Sequence, residues 1–281
     1  MESLVANRYG KLIEVDTGKG QFRVAAGSCD GGTVRRSSSR PASARRLFSE
    51  SSTEAGGAAG EAQAMQIDII LDVICPWCFI GKRRLERALA QRPDLIVNRS
   101  WRAFQLNPEM PSEGFPHELY IAARFGNHGA AERSHAAARA AGRREGIAFA
   151  FERIRRTPNT LQAHRLIHLA SAEGNADEMV ESLFRGYFLE GLDIGDIATL
   201  ATIAPRAGLD RTMAERYLAG QTGIEEVLAE EHRVRRFGIR AVPYFVLQRG
   251  YAISGAQEPE MFLPLFDIAA GTGSETMADK A

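Results

Sequence analysis

The stretch QIDIILDVI-CPWC-FIGKRRLERALAQR, residues 66–92, constrains this chain more than any other. Its first nine residues are short-spanned, largely β-branched and almost wholly apolar, the pattern of a buried strand. After the CPWC tetrapeptide, Ile80, Leu85 and Leu89 recur at helical spacing with basic residues between them, and Pro93 marks a stop. Pro76 falls in the first helical turn, where a missing N–H costs nothing. A strand that feeds straight into a helix places Cys75 and Cys78 at that helix's beginning.

This placement carries chemistry. The first backbone N–H groups of a helix have no partner, and the helix dipole adds positive potential there. Both favour thiolate over thiol and make the sulfur nucleophilic near neutral pH. Cys75 is expected in the leading, more exposed position, with Cys78 one turn on and within disulfide reach. Attack by Cys75 on a partner disulfide would give a mixed disulfide that Cys78 resolves. Trp77 is expected to shape the surface beside Cys75. The rival reading is a structural zinc site, which needs two further ligands. His164 and His168, four apart on an expected helix, are the available pair. They lie far beyond zinc-finger spacing, and Pro-Trp between the cysteines suits a redox pair better, so no metal ligand is assigned. As a pair without a thiolate or carboxylate partner, the histidines read as ordinary helix residues, one of them buried.

Composition narrows the class. The 281 residues carry 35 Lys plus Arg against 35 Asp plus Glu, a net charge of zero, with 44% apolar and 25% charged residues. That is the balance of a soluble globular protein, and it argues against a nucleic-acid-coating surface or a polybasic membrane anchor. No stretch approaches the roughly 20 apolar residues of a membrane helix. Three cysteines exclude a disulfide-stapled scaffold. Residues 1–64 form a distinct segment: 31–64 are rich in Gly, Ser, Ala and Arg and are expected to be disordered, while 1–30 hold weak alternation that suits a strand or two. There is no secretory signal pattern. The Arg/Ser/Ala run at 35–48 superficially suits a transit peptide, a reading weakened by Glu2, Glu14, Asp16 and Asp30; Met65 is the expected functional start.

Residues 96–104 alternate as a second strand, with Ile96, Trp101 and Phe104 as expected core groups. From His117 to about Phe237 the pattern is helical throughout, with Asn159, Asp177, Asp196 and Asp210 as expected N-caps. So long a helical run between strand-rich ends reads as an inserted subdomain. Then YFVLQ (244–248) and YAIS (251–254) form a hairpin around Arg249-Gly250. Pro243 immediately precedes the first of these strands, and an X-Pro bond tolerates cis geometry, although trans is the commoner form.

Taken together, DVICPWCFIGKRRLE (72–86), AVPYFVL (241–247) and the helical insertion between them resemble the DsbA-like branch of the thioredoxin superfamily. FQLNPEMPSEG (104–114), PNTLQAHRLI (158–167), LFRGYFLEGLDIGD (183–196) and ISGAQ (253–257) are similar, more narrowly, to FrnE-type DsbA proteins. These are related to 2-hydroxychromene-2-carboxylate isomerases and kappa-class glutathione transferases. The resemblance spans about residues 66–270. It implies an α/β, thioredoxin-like fold with a large inserted α-helical domain: 65–114 and 238–270 as the two thioredoxin-like parts, 115–237 as the insertion, and 271–281 as a flexible tail. It implies Cys75 as nucleophile, Cys78 as resolving cysteine, and a cis Val242–Pro243 bond facing them, with Pro76, Trp77 and the Val242 backbone contacting substrate. Asn159, Thr160 and Gln257 fall in segments that line a glutathione-facing cleft in such relatives; backbone hydrogen bonding is the plainer role for them. One departure matters. The buried acid that thioredoxin-like proteins often carry six residues before the first cysteine is Ile69 here, and Asp72 is the nearest substitute for proton transfer. Lys82 is the nearest cation, read as solvated. The resulting expectation is a cytoplasmic protein dithiol–disulfide oxidoreductase or isomerase that needs no cofactor, acts on protein or small-molecule thiols and disulfides, and has glutathione as a possible co-substrate. It binds no nucleic acid or membrane, and its oligomeric state is unknown. The alternatives are a glutathione-dependent isomerase or transferase for a small aromatic or polyketide-like substrate, and a non-enzymatic zinc module.

Overall fold

The computed structural model describes residues 64–126, 128–247 and 251–270, together with two short antiparallel strands, β1 (Val5–Ala6) and β2 (Leu12–Ile13). Apart from these strands, the expected N-terminal extension, the Arg249-Gly250 turn and the tail at 271–281 lie outside the described residues.

The central sheet has the order β4-β3-β7-β8. Strand β3 (Met65–Leu71) runs parallel to β4 (Val97–Ala103), with helix α1 (Pro76–Ala90) between them in sequence, as a parallel pairing requires. Its other edge pairs antiparallel with β7 (Tyr244–Leu247), which closes on β8 (Tyr251–Ser254). In this register Ile69 lies between Trp101 and Phe245. Both of β3's edges are thus paired, and Ile67, Ile69, Ile70 and Leu71 are buried, as in a strand covered on both faces; Gln66 and Asp68 interrupt the apolar run and bond Ser100 and Arg102 on β4. Trp101 and Phe104 are buried as expected, but Ile96 is 61% exposed: it precedes β4 and contributes its carbonyl, not its side chain, to the sheet through Met65 N–H.

Between β4 and β7 come β5 (Phe115–Pro116), α2 (His117–Phe125), α3 (His128–Arg144), β6 (Arg156–Thr157), α4 (Leu161–Ala172), α5 (Ala176–Arg185), α6 (Ile197–Ile203), α7 (Arg211–Ala219) and α8 (Ile224–Arg236). The expectation of unbroken helix fails at β6, which pairs with β5. Thr157 precedes Pro158, and a residue before proline is driven out of helical backbone into extended geometry. Asp196 and Asp210 cap α6 and α7 by accepting from Thr199 N and Met213 N. The other two expected caps are displaced. Thr160 occupies the N-cap of α4 while the Asn159 side chain accepts from Leu161 N, and Asp177 sits inside the first turn of α5, where its charge meets the dipole. A final helix, α9 (Leu263–Ala270), returns against the sheet region through Phe262 and Phe266.

An aromatic seam fastens α1 to the insertion. Phe79 stacks on Phe184 at 4.9 Å between ring centroids and meets Phe149 edge-on at 6.1 Å. Beside it the buried Arg84–Glu145 pair, 3.0 Å, ties α1 to the end of α3, and Arg84 also donates to the Ala256 carbonyl. This packing holds rigid the helix whose first turn carries the cysteines.

Candidate functional site

Cys75 is the N-cap of α1, in extended backbone at φ −92° and ψ 112°, and Pro76 opens the helix. Its N–H donates to the Asp72 carbonyl at 3.0 Å, and its own carbonyl accepts from Cys78 N at 3.0 Å. The cysteines therefore flank one tight turn; they are thiols, not a disulfide.

The expectation of a more exposed Cys75 is corrected: Cys75 is 0% and Cys78 3% exposed. The cause is the segment preceding β7. The Val242–Pro243 peptide bond is cis, and the Cys75 Sγ lies 3.7 Å from the Val242 carbonyl oxygen, which accepts its S–H. That carbonyl and the amide end of α1 pull the thiol in opposite directions. The carbonyl favours S–H, and the helix start favours S⁻. Trp77 and Pro76 are half-buried beside it. Gly81, which sequence reasoning passed over, makes the approach possible. A Cβ there would stand 2.9 Å from Pro243 Cγ and 3.1 Å from Phe245 Cζ.

Asp72 is wholly buried. Its Oδ2 accepts from Leu106 N at 2.6 Å, and its Oδ1 faces His164 Nε2 at 3.5 Å, within ion-pair range but without a hydrogen bond. Burial pushes the nearby Tyr120 phenol up, against the opposing pull of the Arg124 charge and a hydrogen bond with Asn107. Ile69, the position where relatives of this fold often hold an acid, points into the core.

The histidine pair of α4 is split. His164 is buried against Asp72, whereas His168, one turn on, is exposed. Among the described residues there is no group of three or more His, Cys, Asp or Glu side chains able to hold a metal ion. Lys82 is not solvated, contrary to expectation. It is 3% exposed and paired with Glu86 and with Glu181 at 3.2 Å, so its charge is spent along α1 and α5. Asn159 donates to the Met110 carbonyl at 2.7 Å and Gln257 to the Ser254 carbonyl at 3.0 Å, the backbone contacts of their plainer reading; Thr160 is the N-cap of α4 by position, and its side chain makes no cap hydrogen bond. The i, i+4 spacing drew attention to His164 and the departure at Ile69 drew attention to Asp72, but nothing in the sequence showed that the two face each other.

A four-stranded mixed sheet, a helix opening on CPWC and a cis-proline segment over the first cysteine define a thioredoxin-like fold with a helical insertion. The DSBA-like thioredoxin domain matches residues 66–266, and the chain belongs to that family. Among solved structures it is similar to a probable DsbA oxidoreductase from Streptomyces coelicolor: 32% identity, 75% of this chain and 92% of that one, TM-score 0.68. A 2-hydroxychromene-2-carboxylate isomerase shares the fold at 18% identity and a TM-score of 0.54, over 74% of this chain and 95% of its own. The uncharacterized protein YwbO of Bacillus subtilis is 25% identical over 203 residues, 70% of this chain and 94% of its own length. Among the described residues no helix is long and apolar enough to cross a membrane.

Proposed function

We propose that this protein is a cytoplasmic thiol:disulfide oxidoreductase of the FrnE-type branch, working through Cys75 and Cys78 as reductase or isomerase. The observation that carries the reading is Cys75 at the N-cap of α1 with Cys78 in the same turn and the Val242 carbonyl against its sulfur. Cys75 thiolate attacks a substrate disulfide, one substrate sulfur leaves as thiolate, and Cys75 holds the other. Asp72 accepts the Cys78 proton, and the Cys78 sulfur attacks Cys75 Sγ. The second substrate sulfur departs and the protein is left with a Cys75–Cys78 disulfide. Two electrons pass to the substrate. Two thiol molecules, with glutathione the proposed donor, restore the dithiol: the first forms a mixed disulfide with one cysteine, and the second releases it as the oxidised donor disulfide. Displacing the Val242 carbonyl from Cys75 on substrate binding frees the sulfur and offers backbone pairing in exchange. No metal takes part in these steps.

Insulin reduction with dithiothreitol as electron donor tests the proposal. The wild type is expected to accelerate precipitation of the insulin B chain and Cys75→Ser to leave the uncatalysed rate. Equal acceleration by both would overturn the assignment.

A further inference from the structure

Asp72 has no direct route to water: it is 0% exposed, and its Oδ2 is committed to Leu106 N. An acid that takes a proton in each cycle must also lose it. The atom that faces its other oxygen is His164 Nε2, 3.5 Å away, and both Asp72 Oδ1 and His164 Nε2 are buried without a hydrogen bond. Leaving either orphaned is costly. A single proton between them satisfies both, whichever atom carries it. His164 in turn lines an open cavity of about 560 Å³ bounded by β4, α4 and α8, together with His168, Arg102, Glu226, Glu230 and Arg233. An open cavity of that size, with charged side chains set among apolar ones in its wall, has room and polar partners for water. The imidazole thus stands between a sealed carboxyl group and a wet, charged chamber on the α4–α8 side, where His168 is exposed.

We propose that His164 is a positioning residue for the exchange chemistry: it aims the Asp72 carboxylate and passes the Cys78 proton from Asp72 to water in the cavity between α4 and α8. This rests on the dithiol reading above. In each turnover the Cys78 S–H bond breaks and the proton goes to Asp72. The Cys78 sulfur bonds to Cys75 Sγ as the substrate thiolate leaves, and the proton moves by way of His164 to cavity water. Ionised Asp72 is then restored for the next cycle. Imidazole suits the relay because its two nitrogens can accept a proton on one side and release one on the other.

Reduced protein carrying Cys29→Ser, which removes the third thiol and serves as the wild-type background throughout, is mixed with dithiobis(nitrobenzoate); this separates the two sulfur steps, because each releases one coloured thionitrobenzoate. The first release reports attack by Cys75, and the second reports resolution by Cys78. His164→Gln keeps a polar side chain of similar reach but cannot relay a proton. It is expected to leave the first release within about twofold and to slow the second by about tenfold or more, a loss in the range of general acid–base catalysis. Asp72→Asn should do the same. In His164→Ala, added imidazole should speed the second release, which a purely structural role would not allow. A second release as fast as wild type in His164→Gln, equal slowing of both releases, or no rescue by imidazole in His164→Ala would each overturn the proposal. If the wild type itself gave no second release, the dithiol reading would fall instead, so the two failures are distinguishable.

Discussion

At the scale of single residues, the site depends on a missing side chain as much as on its sulfurs. Gly81 lies one turn beyond Cys78, and its α-carbon leaves room for Pro243 and Phe245 to close over the first turn of α1. Alanine favours helix over glycine by about 1 kcal/mol. Its methyl here would meet a rigid proline ring at 2.9 Å, closer than real Cβ contacts come. Overpacking of this kind costs about 1–3 kcal/mol, so the clash outweighs the propensity. Gly81→Ala is therefore expected to lower the urea midpoint by an amount worth about 1 kcal/mol. Because the Val242–Pro243 segment is what moves, iodoacetamide should alkylate Cys75 faster in the variant. A raised midpoint with unchanged alkylation would show that the loop accommodates the methyl without shifting. The sequence made the cysteines legible because CPWC is a local signal at a helix start. It left Gly81 and His164 illegible as site residues because their meaning comes from partners, Pro243 and Asp72, that are distant in the chain.

At the scale of elements, Arg165 shows how a residue next to the site can serve the scaffold alone. It follows His164 on α4, yet its side chain turns to the end of α7. Its guanidinium donates to the carbonyls of Tyr217 at 2.7 Å, Leu218 at 2.9 Å, Gly220 at 2.9 Å and Thr222 at 2.7 Å. The last carbonyls of a helix have no internal partner, and a cation there also answers the dipole. Arg165 thus caps α7, pins the turn into α8 and fixes α4 between them, which holds the wall on which His164 stands. Lysine keeps the charge but offers three donors from one point, which cannot reach this fan of oxygens. Arg165→Lys is expected to cost about 2–4 kcal/mol, since several buried carbonyls lose their partner. Urea unfolding measures the loss, and limited proteolysis should find new cleavage between α7 and α8. A variant with wild-type stability and digestion pattern would remove this account. The caps at Asp196 and Asp210 were legible in advance because capping is a local contest. Asn159 and Asp177 were misplaced by a residue or two because several polar residues cluster at those helix starts and tertiary contacts choose among them.

At the scale of the whole molecule, hydrophobic period was enough to give two strand-rich ends around a helical insertion, since a buried central strand and amphipathic helices write themselves into the sequence. Resemblance placed Val242–Pro243 opposite the cysteines, but the full burial of Cys75 was not readable: Val242 stands 167 positions away, and how far it covers the thiol depends on the fold rather than on chain neighbours. The short β5–β6 pair, also invisible in the pattern, fixes where the insertion leaves and regains the site, and it carries the molecule's clearest link to pH. His117 opens α2 at this pair, bonded through Nδ1 to Thr157 Oγ1 at 2.8 Å, while its Nε2 is buried without a partner. Burial, helped by the neighbouring His135 charge, holds its pKa down to about 4. In the unfolded chain the same imidazole titrates near 6.5. Between those values the unfolded state takes up a proton that the folded state refuses, so stability is complete above about pH 6.5 and declines as pH falls toward 4. His135, also lowered by burial, adds in the same direction, whereas the carboxyls of buried Asp68 and half-buried Asp177, raised by desolvation, oppose it. The contribution of His117 itself is isolated by comparing slopes. Between pH 6.5 and 5 the wild type is expected to lose about 1 kcal/mol more stability than His117→Asn, which keeps a polar contact to Thr157 and does not titrate. Parallel pH profiles of urea midpoints for the two proteins would mean that the imidazole protonates in place without disturbing the β5–β6 junction.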